Sequence, residues 1–165
     1  MQLSLQIPIS YEAQLIASEC IQPVSEYHIT LKYFGEVSRA EFAEIKRRLD
    51  FCEFKPFSLK LAQNYDCFAN WSRVRTLYIP VESQRLIVLQ EQVTNMFSDI
   101  FKTEKFVPHM TVARVHKNTP QEILHTLRET ELESIEIPVT YMVLCSSQIL
   151  NGEQKTTVEK KIHFS

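Results

Sequence analysis

Two kinds of hydrophobic periodicity alternate along this chain, and they do so in nearly the same order twice. Apolar residues two apart mark strands, and apolar residues three and four apart mark helices. The first series opens with a strand over Gln2–Ile9, where Leu3, Leu5, Ile7 and Ile9 share a face. A short helix is predicted from Tyr11 to about Cys20, and then Tyr27 to Tyr33 alternates strictly. Tyr27, Ile29, Leu31 and Tyr33 fall on one face of that strand; His28, Thr30 and Lys32 fall on the other. Gly35 marks its exit. Ser38-Arg39-Ala40-Glu41 reads as a capping box ahead of a helix striped by Phe42, Ile45 and Leu49, and Phe57, Leu59 and Leu61 alternate in a further strand.

The second series starts with a strand over Arg73–Val81. Ser83 caps the longest helix, with a stripe of Leu86, Leu89, Val93, Phe97 and Ile100. Pro108 opens a strand in which His109, Thr111, Ala113 and Val115 are expected on one face. Thr119-Pro120-Gln121-Glu122 combines a capping box with proline at the first helical position. Two strands, about Ile135–Ile149 and Thr156–Phe164, close the chain through Asn151-Gly152, a strong hairpin signal. Mixed strands and helices ending in a hairpin predict an α+β fold rather than a doubly wound parallel sheet, built as two pseudo-symmetric β-α-β-type halves in one domain over residues 1–165.

Several classes are excluded by what the chain lacks. With only two glycines, Gly35 and Gly152, it has no glycine-rich phosphate loop. No apolar run approaches the roughly 18 residues of a membrane span. The opening MQLSLQIPIS lacks the basic start and apolar block of a signal peptide, so a soluble, cytoplasmic protein is expected; a monomer is expected as well. The four cysteines are scattered without metal-ligand spacing and read as reduced thiols. A net charge of −2 gives no global grip on long nucleic acid, but it leaves room for a small charged substrate or an RNA end in a local basic pocket.

His-x-Thr or His-x-Ser is a cheap tripeptide, and His163-Phe164-Ser165 matches it at a terminus expected to fray. Context sets two other occurrences apart. His28-Ile29-Thr30 and His109-Met110-Thr111 each lie in a strand, where residues two apart stand side by side over one surface. Threonine then supplies a donor for a phosphate oxygen while histidine moves a proton. Two histidines with ordinary pKa values near 6.5 can deprotonate a nucleophile and protonate a leaving oxygen at neutral pH, so neither a metal nor a cofactor is expected. His116 and His125 read as structural.

At this point the chain resembles the two-histidine phosphoesterase superfamily, and within it the RNA 2′,3′-cyclic phosphodiesterase branch, also called the LigT-like or 2′-5′ RNA ligase family. Tyr27 to Val37 is similar to its first signature, Pro56 to Leu61 to its central strand, Ser72 to Tyr78 to the strand before the long helix, and Phe106 to Arg114 to its second signature. The resemblance implies a bilobal fold with the signatures facing across a central groove, and hydrolysis of RNA 2′,3′-cyclic phosphate ends to 2′-phosphomonoesters. It implies that His28 protonates the leaving 3′ oxygen and His109 activates water, an order the residues alone leave open. Thr30 and Thr111 would hold the phosphate, joined by Arg114, although an ideal strand turns Arg114 away from His109. Lys32 and Arg75 are weaker candidates, and Phe34, Phe68 and Trp71 are candidates to stack on a base. The partners implied are RNA 3′ ends or small cyclic or oligonucleotides. Alternatives are a 2′-5′ oligoadenylate or cyclic nucleotide phosphodiesterase, ligation as the reverse reaction, and a binding module without catalysis.

Overall fold

A computed structural model describes all 165 residues. Along the chain the elements are β1 (Gln2–Ile9), β2 (Ile21–Pro23), β3 (Tyr27–Glu36), α1 (Arg39–Asp50), β4 (Phe57–Leu61), β5 (Asp66–Cys67), a 3-10 turn (Trp71–Arg73), β6 (Thr76–Glu82), α2 (Gln84–Met96), β7 (His109–Val115), α3 (Gln121–Glu129), β8 (Ile135–Val139), β9 (Tyr141–Leu150) and β10 (Glu153–His163). The first sheet has the order β10-β9-β1-β3; the second has the order β2-β7-β6-β4-β8, with β5 added to β6. Every pairing is antiparallel. The α+β class and the two-lobed arrangement match expectation. Each lobe nevertheless draws on both halves of the chain: the C-terminal hairpin joins β1, and β2 joins β7.

Local signals that depend on one or two residues hold well. Leu3, Leu5, Ile7 and Ile9 are all buried. Ser38 and Glu41 form the reciprocal capping box at α1: the Glu41 amide donates to Ser38 Oγ, and the Ser38 amide donates to Glu41 Oε1. Ser83 Oγ accepts from the Leu86 amide at the start of α2. Asn151 and Gly152 both take positive φ, as a two-residue turn between twisted strands requires.

Other expectations fail where tertiary contacts outweigh local preference. Residues 11–20 form no helix. Tyr11, Ala13 and Leu15 pack on the core in extended alternation, the Ala13 amide donates to the Tyr27 hydroxyl, and the Tyr65 hydroxyl donates to the Gln14 carbonyl. A ten-residue helix is marginal by itself, so these tyrosines suffice to hold the segment open. Helix α2 stops at Met96 rather than running to Ile100, because Phe97 turns into the core between Phe34 and Phe101. At α3 the capping box is absent. Thr119 Oγ1 donates to the His116 carbonyl instead, and Pro120 stands at the cap. The strand from Ile135 breaks at Thr140: β8 pairs β4 in the second sheet and β9 pairs β1 in the first, so this stretch carries the chain between lobes. The C-terminus is tied down, with Phe164 buried and the Ser165 amide bonded to the Phe54 carbonyl.

Candidate active site

Strand β3 of the first sheet lies against β7 of the second. His28 and Thr30 on β3, and His109 and Thr111 on β7, are all partly exposed, while their neighbours Ile29, Leu31, Met110 and Val112 are buried. The alternation therefore does what the tripeptides require: the apolar side of each strand is anchored in the core, and the other side presents imidazole and hydroxyl together.

Immediately after each threonine the alternation breaks. On β3, Gln6 pairs Thr30 but Leu5 pairs Lys32, so Leu31 is an extra residue. On β7, Tyr78 pairs Thr111 but Leu77 pairs Ala113, so Val112 is extra. The Val112 carbonyl accepts from the amide of Val24, just past the end of β2, which satisfies the bulge. One extra residue reverses the facing of everything beyond it. Ala113 and Val115 are consequently buried, not aligned with His109, and Arg114, exposed and paired with Thr76 and Gln22, returns to the side of Thr111 and Tyr78. Arg114 thus belongs to the face from which an ideal strand would exclude it. On β3 the same shift brings Tyr33, 54% exposed, to the His28 side, with its hydroxyl donating to Gln2 Oε1. A second extra residue, Phe34, precedes Gly35, whose positive φ of 74° suits glycine. Tyr33 and Arg114 are therefore counterparts, each five residues after its histidine.

The same bulge removes Lys32 from the site. Lys32 is 8% exposed, and its ammonium donates to the Lys102 carbonyl at 2.5 Å. Burial lowers its pKa, with Glu104 opposing. Arg75 donates to the carbonyl of its neighbour Val74. Of the three aromatic candidates, Phe34 is buried against Phe97 and Phe101, Trp71 packs on the core, and only Phe68 stands at a motif histidine. His163 pairs with Tyr141 in β10 and joins neither motif.

The two histidines differ in how they are held. His109 Nδ1–H donates to the Val107 carbonyl at 2.6 Å, which leaves Nε2 as the working nitrogen. Its ring sits 5.0 Å from Phe68 and 5.1 Å from Tyr78, centroid to centroid. The pKa of His28 is lowered, first by burial and then by the charge of His109, while the Glu26 carboxylate acts in the opposite direction. Glu26 escaped the sequence reading, although it stands two residues before His28, the spacing at which side chains of a strand share a face. No group of three or more His, Cys, Asp or Glu side chains converges to hold a metal. No helix is long and apolar enough to cross a membrane. A groove of about 830 Å³ between Met1, Gln2, Glu36 and the β9–β10 hairpin contains neither motif.

Comparison with known proteins gives a consistent picture. Residues 23–148, which include both motifs, match the sequence model of the 2′-5′ RNA ligase superfamily. An RNA 2′,3′-cyclic phosphodiesterase of Aeropyrum pernix is 31% identical over 120 residues, covering 67% of this chain and 68% of that protein. One of Thermotoga maritima is 29% identical over 168 residues, covering 90% and 88%. The apo crystal structure of E. coli LigT superposes with a TM-score of 0.81 at 18% identity, over 99% of this chain and 97% of that one.

Proposed function

Since the chain belongs to the 2′-5′ RNA ligase superfamily, we propose that it is a metal-independent phosphodiesterase that opens 2′,3′-cyclic phosphates at RNA ends, leaving a 2′-phosphomonoester. The observation that carries this reading is that neighbouring strands β3 and β7 each present a histidine and a threonine on their open side, His28 with Thr30 and His109 with Thr111, and that the bulge at Val112 returns Arg114 to the side of Thr111. The relatives named RNA 2′,3′-cyclic phosphodiesterase supply the substrate class.

In this mechanism Thr30, Thr111 and Arg114 hold the non-bridging oxygens of the cyclic phosphate, with the guanidinium supplying the positive charge that a net-acidic protein must provide locally. His109, with its Nδ1–H committed to Val107, has an Nε2 lone pair ready to accept a proton from water. That water oxygen bonds to phosphorus. The bond from phosphorus to the 3′ oxygen breaks, and His28 gives its proton to that oxygen. Burial beside His109 lowers the pKa of His28 and so disfavours both rings being charged together.

The pH dependence carries a sign. Activity requires one imidazole charged and one neutral, so kcat/KM is expected to be bell-shaped, with both limbs belonging to the pair. Repulsion and burial disfavour the doubly protonated site, so the acid limb is expected below the ordinary 6.5 of histidine. Glu26 raises the pKa of His28, so Glu26→Gln should move the acid limb to still lower pH. An acid limb that stays put or rises in that variant would contradict the placement of Glu26.

Substrate choice is tested with equal concentrations of an RNA ending in a 2′,3′-cyclic phosphate and a 2′-5′ oligoadenylate, with chelator present. Turnover of the cyclic end to a 2′-phosphate is the expected result. Cleavage of the 2′-5′ linkage with the cyclic end untouched would reassign the site to that substrate.

A further inference from the structure

Strand β1 is the neighbour of β3 in the first sheet, and its alternation leaves Ser4, Gln6 and Pro8 partly exposed between buried leucines and isoleucines. Residues directly opposite each other in an antiparallel pair share a face, about 4.5–5.5 Å apart at Cβ. Pro8 is opposite His28, Gln6 is opposite Thr30, and Ser4, past the bulge at Leu31, is opposite Tyr33. Gln6 therefore stands beside a motif threonine. A glutamine on the open side of a strand is ordinary, but this one is fixed. Its Nε2 donates to Ser4 Oγ at 2.8 Å, which draws the carboxamide along β1 towards the Tyr33 end. Tyr33 is held in turn, its hydroxyl donating to Gln2 Oε1 at 2.7 Å. On its other side Gln6 is opposite Val143 of β9, a buried apolar residue that offers it no partner. One amide hydrogen is thus engaged by Ser4, and the second amide hydrogen and Oε1 are left for a ligand. The row also has a direction. Past His28 it ends in Pro8, whose side chain has no hydrogen-bonding group, whereas past Thr30 it continues through Gln6, Ser4 and Tyr33. Residues two apart on a strand are about 6–7 Å apart, so the Gln6 head, drawn to Ser4, lies from Thr30 by the span between neighbouring sugars of extended RNA.

We propose that Gln6 reads the 2′-hydroxyl of the penultimate nucleotide, so that the site prefers an RNA end over an otherwise identical end with deoxyribose at that position. The inference rests on the reading of the site as one for RNA-end phosphates. A 2′-hydroxyl both donates and accepts, and it is the group by which a protein tells RNA from DNA. The Gln6 carboxamide, with one free N–H and a free carbonyl oxygen, matches both halves. Thr30 and Thr111 meet the phosphate whatever sugar lies upstream, so the two contacts are separable.

The test measures binding and turnover separately. Calorimetric affinities are compared for adenosine 2′-monophosphate and for two 3′-5′-linked diadenosine dinucleotides ending in a 2′-phosphate. One dinucleotide has ribose as its first sugar, and the other has 2′-deoxyribose. The wild type is expected to bind the ribose dinucleotide about threefold to tenfold more tightly, the measure of one hydrogen bond. Gln6→Met keeps the length of the side chain and removes its donors and acceptor. In that variant the two dinucleotides are expected to bind equally, with adenosine 2′-monophosphate held within about twofold of its wild-type affinity. Equal binding of the two dinucleotides by the wild type, or no binding of either, overturns the proposal. So does an undiminished preference in Gln6→Met, or equal weakening of all three ligands there, which would mean that Gln6 only supports Thr30. Turnover of the ribose dinucleotide bearing a 2′,3′-cyclic phosphate is assayed alongside. A preference that Gln6→Met abolishes, without turnover, would remove the proposed reaction and leave the sugar contact standing, and turnover without preference would do the reverse.

Discussion

His109→Ala is expected to lower kcat by on the order of 10²–10⁴-fold, the usual contribution of a positioned proton transfer. The loss should be confined to chemistry. His109 is partly exposed, its neighbours Met110 and Val112 anchor β7 without it, and its ring contributes one exposed hydrogen bond to the Val107 carbonyl, an edge contact with Phe68 and a tilted contact with Tyr78. The thermal unfolding midpoint should therefore stay near that of the wild type while turnover collapses. His28→Ala is expected to behave alike, because cleavage needs both a proton acceptor and a proton donor. Thr30→Ala and Thr111→Ala remove one hydrogen bond each to a charged oxygen, worth about 1.5–3 kcal/mol, and should cost less than either histidine. Steady-state kinetics on one cyclic-phosphate substrate, with unfolding curves for each variant, decides the matter. A histidine variant retaining wild-type turnover would remove that residue from the mechanism.

Phe97→Ala should give the largest loss of stability, about 3–5 kcal/mol by analogy with other buried aromatic truncations. Phe97 is fully buried, ends α2 as its C-cap residue, and meets Phe34 edge to face at 5.1 Å. Phe34 is in turn the extra residue of the second β3 bulge, and Phe101 covers its other side at 5.0 Å. Truncation would leave a void where the helix end and the bulged strand meet. Urea unfolding measures the change directly, and a loss under about 1 kcal/mol would mean that this aromatic cluster does not carry the weight assigned to it.

What could be read in advance divides along physical lines. Signals set by one or two residues were legible: the Ser38–Glu41 box, the Ser83 cap, the Asn151-Gly152 turn, and the apolar face of β1. Signals that depend on what a strand pairs with were not. Period-two reading has no place for an extra residue, so it put Lys32 on the face of His28 and turned Arg114 away from His109. The bulges at Leu31 and Val112 reverse both assignments. Whether a bulge forms depends on partners such as Val24, almost ninety residues earlier in the chain, whose amide meets the Val112 carbonyl. The helix expected over 11–20 failed for the same reason, since the tyrosines that hold it open, Tyr27 and Tyr65, lie elsewhere in the chain. Glu26 could have been flagged by its spacing from His28, whereas Phe68 stood among three aromatic candidates with nothing local to distinguish it from Phe34 or Trp71.

The most direct test of the central claim, that His28 is the acid and His109 the base of one reaction, uses a leaving group that needs no acid. A 2′,3′-cyclic phosphate with sulfur in place of the 3′ oxygen departs as a thiolate of low basicity. The rate of its hydrolysis is compared with that of the oxygen substrate in the wild type, His28→Ala and His109→Ala. Sulfur substitution is expected to restore most of the activity of His28→Ala and none of that of His109→Ala. Restoration of His109→Ala instead would reverse the two roles, and failure to restore either variant would contradict general acid catalysis by this pair.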